Sequence, residues 1–333
     1  MEFDLSKPQK LLKETARQSL ARERSWEAMA DQGWMGFLLP DELVELAVVM
    51  EEMGRACAGG PFLANVFATA LIRAAASPEQ QSRWLEPIAA GQLKATVAME
   101  DRQSCLSSDR QDCLSSAFVL DADTADLIFC VTPNGAIVAT PTSITPMRSM
   151  DEGRKFFDVI LEPGEPLPGD RDAVQRAIDI ATVALCAEMV GGMQWILDTT
   201  VEYAKTRQQF GRPIGSFQAV QHQCADMLLF TESARSAMYF AAWEPTPLAV
   251  SIAKAYCSDA FREVGNRGIQ VHGGIGFTWE HDLQLYYKRA KSSETLFGDA
   301  TFHRERIASL VVDEVPRIHS RMETSPDHRT VRA

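Results

Sequence analysis

The chain has 333 residues, 46% of them hydrophobic, and a formal net charge of −12 at pH 7. This length is long for a single core and predicts two or three packed units. The acidic balance argues against a nucleic-acid partner, because binding to phosphates needs a concentrated basic face.

Other features of the composition indicate a cytoplasmic protein. An unbroken apolar run of about 18 residues would be needed to span a membrane, and none occurs. The N-terminus lacks the basic start and apolar stretch of a signal peptide. Seven cysteines occur without a CxxC pair or metal-like His/Cys spacing. We therefore expect a reduced, cytoplasmic chain with no metal site and no membrane span.

Residues 1–92 have the pattern of an N-terminal helical domain. Apolar residues recur at helical spacing before Gly54. They are Leu43, Leu46, Val49, Met50 and Met53. The run Ser77-Pro78-Glu79-Gln80 is typical of a helix cap followed by proline at the first helical position.

Residues 93–168 predict a small β domain. Short apolar runs at 95–99, 117–120, 127–131 and 136–139 are separated by Pro, Gly, Asn and Asp, which is typical of strands. A near-repeat, Cys105 to Asp109 and Cys113 to Ser116, has no functional interpretation, and an irregular surface loop is the simpler one.

Residues 169–320 predict a four-helix bundle. Asp170 can cap a helix over 172–206, a second begins near 216, a third covers 248–272, and a fourth runs through 284–296 to Leu310. Adjacent glycines at 191 and 192 indicate close helix packing, since each costs about 1 kcal/mol in a helix. The polar tail 321–333 is expected to be disordered.

Two loop segments carry the strongest functional signal, residues 207–218 and 270–278. Arg207 offers a fixed cationic fork suited to a pyrophosphate. Phe210 and Phe217 offer flat apolar surfaces, and Gln218 and Gln270 offer amide hydrogen bonds. The glycines between them allow close approach of a ligand to the backbone. Together these groups suit a dinucleotide.

Over essentially the whole folded chain, the sequence resembles an acyl-CoA dehydrogenase. The motifs carrying the resemblance are Glu202-Tyr203-Ala204-Lys205-Thr206-Arg207-Gln208-Gln209-Phe210-Gly211, Phe217-Gln218-Ala219-Val220-Gln221-His222, Gln270-Val271-His272-Gly273-Gly274-Ile275-Gly276 and Tyr287-Lys288-Arg289-Ala290-Lys291. The resemblance implies a mainly α fold, in which a reduced, β-barrel-like middle domain separates the N-terminal helical domain from the C-terminal bundle. Gly273-Gly274-Ile275-Gly276 is no Rossmann signature, because it follows a helix and opens no βαβ unit.

The resemblance also implies FAD, with its flavin in one subunit and its ADP half against a neighbouring subunit. Arg207 would then hold the pyrophosphate. The adenosine side would be lined by Phe210, Ile214, Phe217 and Gln218. Its other edge would contact Gln270, Val271 and Gly274. Two alternatives stay open: Arg207 caps the last carbonyls of the long helix, or Gln270 ties two helices together.

The base that the family uses is missing from both of its usual positions. That glutamate removes the α-proton of an acyl-CoA while hydride leaves the β-carbon. The resemblance places it at Phe297 or near Ala181, where Thr182 replaces the arginine often found beside the base. Neither Phe297 nor Ala181 can accept a proton. An acid–base step contributes about 10²–10⁴-fold, so no catalytic residue is assigned.

Three nearby carboxylates are candidate replacements: Asp299, Glu188 and Glu294. Asp299 lies two residues beyond Phe297, Glu188 lies two turns beyond Ala181 on the same face, and Glu294 lies three residues before Phe297. A solvated charge or a salt bridge is the simpler interpretation of each, and Asp299 can also cap the last helix.

The β part departs from the family as well. A segment that usually ends in Gly-Ser-Asp is reduced to Ala98-Met99-Glu100-Asp101 followed by Ser107-Ser108-Asp109, and the Trp-Ile-Thr segment against the flavin has no counterpart. The chain thus resembles the non-catalytic subunit of the heterotetrameric (α2β2) acyl-CoA dehydrogenases of actinobacterial steroid side-chain degradation. It would complete the FAD site of a catalytic partner that acts on a bulky acyl-CoA, with electron-transfer flavoprotein as the family's usual acceptor.

Two other functions remain open at this point. One is a self-sufficient homotetramer that uses Asp299 or Glu188 as its base and holds one flavin per chain. The other is a flavin-free scaffold subunit that only binds a partner.

Overall fold

A computed structural model describes residues 4–39, 42–100 and 114–323, with side chains as far as residue 312. Five helices form the N-terminal part: α1 Lys7–Arg22, α2 Trp26–Asp31, α3 Leu43–Arg55, α4 Phe62–Ala75 and α5 Pro78–Ala89. The predicted cap at Ser77 is present as a full capping box with Gln80, and Ser6 and Gln9 form a second one before α1.

The middle part is a five-stranded sheet. Its strands are β1 Ala95–Met99, β2 Leu114–Leu120, β3 Leu127–Thr132, β4 Gly135–Met147 and β5 Phe156–Pro166, in the spatial order β1-β3-β4-β5-β2. The β1–β3 pair is parallel, and the other pairs are antiparallel. The two edge strands approach each other, since Thr96 Oγ1 donates to Leu120 O at 2.6 Å. The sheet therefore curls towards a barrel.

The C-terminal part is a helical bundle with a short hairpin at one end. Its elements are α6 Arg171–Thr206, β6 Gln208–Gln209, β7 Arg212–Pro213, α7 Gln218–Trp243, α8 Pro247–His272, α9 Leu283–Thr295 and α10 Ala300–Glu323. Asp170 caps α6 as expected, accepting from Ala173 N at 2.8 Å. Most of the near-repeat, residues 105–109 and Cys113, lies outside the described residues, but its last three residues, 114–116, belong to strand β2, so the expectation of an irregular loop is wrong for them.

The long helix α6 is the axis of the molecule and packs against α3, α4, α7 and α8. A Cβ at Gly191 would lie 1.7 Å from Glu51 O of α3, and one at Gly192 would lie 2.5 Å from the Phe261 ring of α8. The adjacent glycines thus allow close helix packing, as expected. By length and composition α6 could cross a membrane, but its most apolar stretch is 83% buried within the protein, so it is a core helix.

The prediction of one continuous fourth helix is wrong, because the structure has two helices there, α9 and α10. The chain breaks between Thr295 and Ala300, where Phe297 has φ 57° and Gly298 has φ 95°, and a left-handed pair of residues cannot continue a helix. The final helix then runs to Glu323, beyond the predicted start of a disordered tail at 321. The strand β5 and the β6–β7 hairpin were also absent from the sequence prediction.

Candidate functional site

The hairpin that follows α6 presents Phe210 at its tip. Gln209 pairs with Arg212 across β6 and β7, so Phe210 and Gly211 form a two-residue turn. Both have positive φ, 53° and 75°, as a type I′ turn requires. This backbone is unfavourable for a bulky residue, and the ring is nevertheless 89% exposed. Strain of this kind clusters at ligand and partner sites.

Arg207 lies at the C-cap of α6 with its side chain exposed. Its backbone is fixed at both ends: the N–H donates to Tyr203 O and the carbonyl accepts from Ile214 N, each at 2.8 Å. Its guanidinium has no hydrogen bond or ion pair with any residue that the structure describes. The alternative in which this guanidinium caps the helix carbonyls is therefore not seen.

The start of α7 brings two further predicted residues beside the hairpin. The guanidinium of Arg212 lies 4.1 Å from the centroid of the Phe217 ring, and the Phe210 ring meets the same ring edge-on at 6.1 Å. Gln218, the first residue of α7, is exposed, while Ile214 is half-buried in a single 3₁₀ turn. An aromatic and cationic surface thus faces solvent here.

The end of α8 carries the second predicted segment. Gln270 is exposed, and its side-chain amide makes no hydrogen bond within the described chain, so it does not tie two helices together. Val271 is half-buried. Gly273 turns the chain with φ 65°, and a Cβ placed on Gly274 would meet no atom within 4 Å. Gly274 therefore borders open space.

A stack of two rings brings the two segments together. Tyr203, one turn before Arg207, lies face to face with His272, with ring centroids 4.3 Å apart. His272 Nδ1 hydrogen-bonds Gly268 O at 2.8 Å, while its Nε2 is buried without a partner in the described structure. Burial and the neighbouring His281 lower the pKa of His272, although the bond to Gly268 opposes this. The imidazole is thus held neutral.

An exposed aromatic pair beside this segment was missed from sequence. Trp279 is 73% exposed, and the Lys288 ammonium lies 4.1 Å from its ring centroid. Phe277, also exposed, meets the Tyr287 ring at 6.0 Å. The sequence feature that could have predicted this pair is the presence of Phe277 and Trp279 in the polar loop after the glycines, where no core position is expected.

Both family positions for the base are packed. Phe297 is half-buried and meets Phe67 edge-on, with ring centroids 5.3 Å apart. The cavity beside it, lined by α4, β1, β2 and the loop at 296–297, has a volume of about 130 Å³. Ala181 is fully buried, and Thr182 Oγ1 donates to Ile178 O at 2.7 Å.

Two of the candidate replacement carboxylates have ordinary structural roles. Asp299 Oδ1 accepts from Phe302 N at 2.8 Å, which makes Asp299 the cap of α10. Glu294 pairs with Arg262 and with Lys291, the latter at 3.3 Å. Each of these two carboxylates therefore has a structural partner.

Glu188 lies in a buried cluster of four charges. Arg154 of the middle part donates to both of its oxygens, at 2.7 and 2.8 Å, and Arg289 of α9 donates to one at 2.7 Å. Arg289 also binds Asp151 at 2.5 Å and the Ala58 carbonyl at 2.9 Å. Burial alone would raise the pKa of Glu188, but the two guanidiniums outweigh it and hold that pKa below its ordinary value. Glu188 is therefore bound within a salt-bridge cluster that joins the three parts of the chain.

Two family models match the chain. The N-terminal domain of acyl-CoA dehydrogenases matches residues 7–92, and their C-terminal domain matches residues 171–311. Acyl-CoA dehydrogenase IpdE2 of Mycobacterium tuberculosis is 34% identical over 297 residues, covering 87% of each chain.

Two solved structures share the fold. The first, described as the Tcur3481-Tcur3483 steroid ACAD, has a TM-score of 0.80 at 23% identity and covers 93% of this chain and 99% of its own. The second, the ChsE4-ChsE5 complex from Mycobacterium tuberculosis, has a TM-score of 0.76 at 22% identity and covers 98% and 100%. The order of a helical part, a β part and a helical part is therefore shared with these proteins.

Proposed function

The chain belongs to the acyl-CoA dehydrogenase family, and we propose that it is a non-catalytic subunit that completes the FAD site of a catalytic partner. One contrast carries the proposal. Phe297 stands where the family resemblance places the base, whereas Arg207 presents to solvent a guanidinium that has no partner among the described residues. The chemistry is lost while the surface suited to the cofactor remains.

The residues at the end of α6 and α8 fit the ADP half of FAD. Arg207 would hold the pyrophosphate, because its planar guanidinium suits bidentate contact with phosphate oxygens. Phe210, Ile214, Phe217 and Gln218 would border the adenosine, and Gln270, Val271 and Gly274 its other edge. FAD, when bound in such an enzyme, accepts the hydride that leaves the acyl chain. This chain would anchor the cofactor and leave the reacting ring to the partner.

The interior argues against a second, self-sufficient site. Among the described residues, the cavity beside Phe297 has a volume of about 130 Å³, whereas pockets for drug-sized ligands have volumes of about 300–1,000 Å³. Glu188 and Asp299, the bases of the homotetramer alternative, are bound to arginines and to a helix N-terminus. Among the described residues, both of these carboxylates already have structural partners, and this counts against the homotetramer alternative.

The relatives support a proposal for the partner and the substrate. One structural neighbour is described as a complex of two proteins and another as a steroid ACAD. We propose an α2β2 heterotetramer with a related catalytic acyl-CoA dehydrogenase chain, acting in the cytoplasm on a bulky acyl-CoA such as a steroid side-chain thioester. Electron-transfer flavoprotein, the family's usual acceptor, would reoxidise the assembly.

The first experiment is the ratio of flavin to polypeptide in the complex purified from the native host, with every chain resolved. We expect a second, related chain and one FAD per two polypeptides. One FAD per chain in an assembly of this polypeptide alone would overturn the proposal.

The matched variants are Arg207→Ala and Arg176→Ala, two exposed arginines on the same helix. Arg207→Ala should lower the flavin retained by the assembled complex, and Arg176→Ala should not. Equal flavin content in the two variants would rule out the ADP-half role of Arg207.

A further inference from the structure

The β6–β7 hairpin carries two arginines, Arg207 just before its first strand and Arg212 on its second. Arg207 has an extended backbone, its carbonyl accepts from Ile214 N at 2.8 Å, and Arg212 pairs with Gln209. Because side chains along a strand alternate between its two faces, this register places Arg207 and Arg212 on the same face of the hairpin. They are diagonal neighbours across the two strands, a relation that separates two residues by about 7–8 Å and lies within reach of long side chains.

Both guanidiniums are available to a ligand. The two side chains are exposed, and neither has a hydrogen bond or an ion pair within the part of the chain that the structure describes. The cation that precedes them, Lys205, is by contrast paired with Glu202 at 2.6 Å. The sequence has no acidic residue between Glu202 and Asp226, although the whole chain has a net charge of −12. The hairpin therefore presents two positive charges that no described carboxylate neutralises.

An aromatic ring, rather than an acid, holds Arg212 in place. The guanidinium of Arg212 lies 4.1 Å from the centroid of the half-buried Phe217 ring, which Phe210 contacts edge-on. A guanidinium above an aromatic face keeps its positive charge, and its N–H donors stay free for an oxygen acceptor. The contact therefore orients Arg212 without using the groups that would bind a phosphate.

The start of α7 lies beside the same ring and favours an anion as well. Phe217, on whose ring Arg212 lies, is the N-cap residue of this 26-residue helix. No side chain caps the helix, and its first turn contains no acidic residue. The N-terminus of a helix carries a partial positive charge of about +0.5 and backbone N–H groups without partners in the helix. Phosphates bind to helix ends of this kind.

We propose that Arg212 is a second phosphate-binding residue, which holds one phosphate of the ADP half of FAD while Arg207 holds the other. The inference rests on the ADP-half role proposed above for Arg207 and extends it from one cation to two. The pyrophosphate of a dinucleotide carries one negative charge on each phosphate, and two guanidiniums on one face of the hairpin match that arrangement. The hairpin therefore prefers a pyrophosphate to a single phosphate of similar charge.

The test uses the assembly purified from the native host and stripped of its flavin. The probe is ADP-ribose, which has the pyrophosphate of the ADP half, and its analogue is AMP, which carries about −1.5 to −2 on a single phosphate. The two probes thus differ mainly in where the charge lies. Isothermal titration measures both affinities, and ADP-ribose should bind about tenfold more tightly than AMP, because charge-assisted hydrogen bonds are the strong ones.

Three variants assign the second phosphate. Arg212→Ala should weaken ADP-ribose about tenfold, because one phosphate loses its guanidinium, and should weaken AMP less than about threefold, because Arg207 remains. Arg212→Lys should give an intermediate affinity for ADP-ribose, since an ammonium keeps the charge but not the planar fork. Lys205→Ala removes a charge at the same end of α6 and should change neither affinity. The flavin retained by the assembly should fall in the same order.

The outcomes separate this inference from the function on which it rests. If Arg207→Ala weakens ADP-ribose and Arg212→Ala does not, the second phosphate contact is wrong while the ADP-half role of Arg207 stands. An equal loss for ADP-ribose and AMP in Arg212→Ala would reduce its effect to general charge and would also overturn the inference. If neither arginine variant changes the affinity for ADP-ribose, the ADP-half role is wrong as well. Arg212 is exposed, so thermal denaturation should show the same midpoint for its variants as for the natural chain.

Discussion

Tyr203 and His272 are stacked with their ring planes 19° apart, and this contact fixes the end of α6 against the end of α8. The two loops proposed to contact the ADP half of FAD start within one turn of these rings. Their relative position is therefore set by packing inside the bundle, before any ligand arrives. Such preorganisation lowers the entropy cost of binding.

Stability should fall below neutral pH because two buried histidines resist protonation. Burial lowers the pKa of His272 and that of His303 from the ordinary value of 6.5. The unfolded chain then binds these protons first as the pH falls. Their contribution to the free energy of unfolding is complete above about pH 6.5 and is lost as the pH falls towards the lowered pKa values. Urea unfolding at pH 7.5, 6.5 and 5.5 measures this loss.

The histidine variants separate this effect from general acid sensitivity. His272→Phe keeps an aromatic ring on Tyr203 and removes the titrating group, so its stability should depend less on pH than that of the natural chain. His222→Phe, at an exposed position of α7, should leave the dependence unchanged. An identical slope in all three proteins would show that His272 does not contribute.

Gly274→Ala should separate ligand binding from folding. A Cβ at this position meets nothing within 4 Å, and its φ is not positive, so the change should alter the free energy of unfolding by less than about 1 kcal/mol. If FAD approaches the backbone here, the methyl group should lower flavin retention by the assembled complex. Differential scanning calorimetry and the flavin-to-protein absorbance ratio measure the two quantities. Unchanged flavin in a stable complex would place the cofactor elsewhere.

Phe297→Glu places a glutamate where the family resemblance puts the base, yet we expect it to create no activity in the isolated chain. The reason is structural: the carboxylate would replace a ring packed on Phe67 beside a small cavity. Burying a charge there should cost about 2–4 kcal/mol. Dye-linked dehydrogenase assays with several acyl-CoA thioesters and urea unfolding provide the measurements. Leu11→Glu, on an exposed face of α1, serves as the control for an added charge. Turnover by the Phe297→Glu chain alone would contradict the proposed division of roles.

Glu188→Gln should be strongly destabilising. The change leaves Arg154 and Arg289 buried with Asp151 as the remaining acid of the four-charge cluster. Removing one partner from a buried ion pair typically costs about 3–5 kcal/mol. Glu202→Gln, which breaks an exposed pair with Lys205 on the same helix, should cost less than about 1 kcal/mol. Equal midpoints of denaturation for the two variants would mean that the cluster does not stabilise the chain.

Local signals in the sequence predicted the helices and strands best. The cap at Ser77, the cap at Asp170 and the close packing at Gly191 each follow from one residue type in one context, and the structure has all three. The break at Phe297 was not predictable in this way. Phenylalanine rarely has positive φ, and surrounding contacts impose it here: Lys254 donates to Glu294 O and Gly298 O on either side of the break, at 3.1 and 2.8 Å.

The roles of single residues in the site depended on contacts that lie far apart along the chain. The simpler interpretation of Glu188 left open a solvated charge or a salt bridge, and the partners that decide for the salt bridge, Arg154 and Arg289, lie 34 and 101 positions away. The groups in the two loop segments and the family resemblance suggested one shared site, but neither predicted the Tyr203–His272 stack that joins the segments. For every residue assigned to the FAD site, contact with FAD remains a prediction.

The 36-residue helix α6 has a consequence for how a paired enzyme could arise. Ala181, one position where the family resemblance places the base, and Arg207 at the end of the helix lie 26 positions apart, about 39 Å along a rigid rod. A substitution that removes a reactive group at position 181 therefore need not disturb the surface at the end of the helix. If two identical copies of such a chain form a complex, one copy can lose its reaction centre and still support that of its neighbour. An asymmetric pair then requires the loss of a reactive group in one copy and no new group in the other.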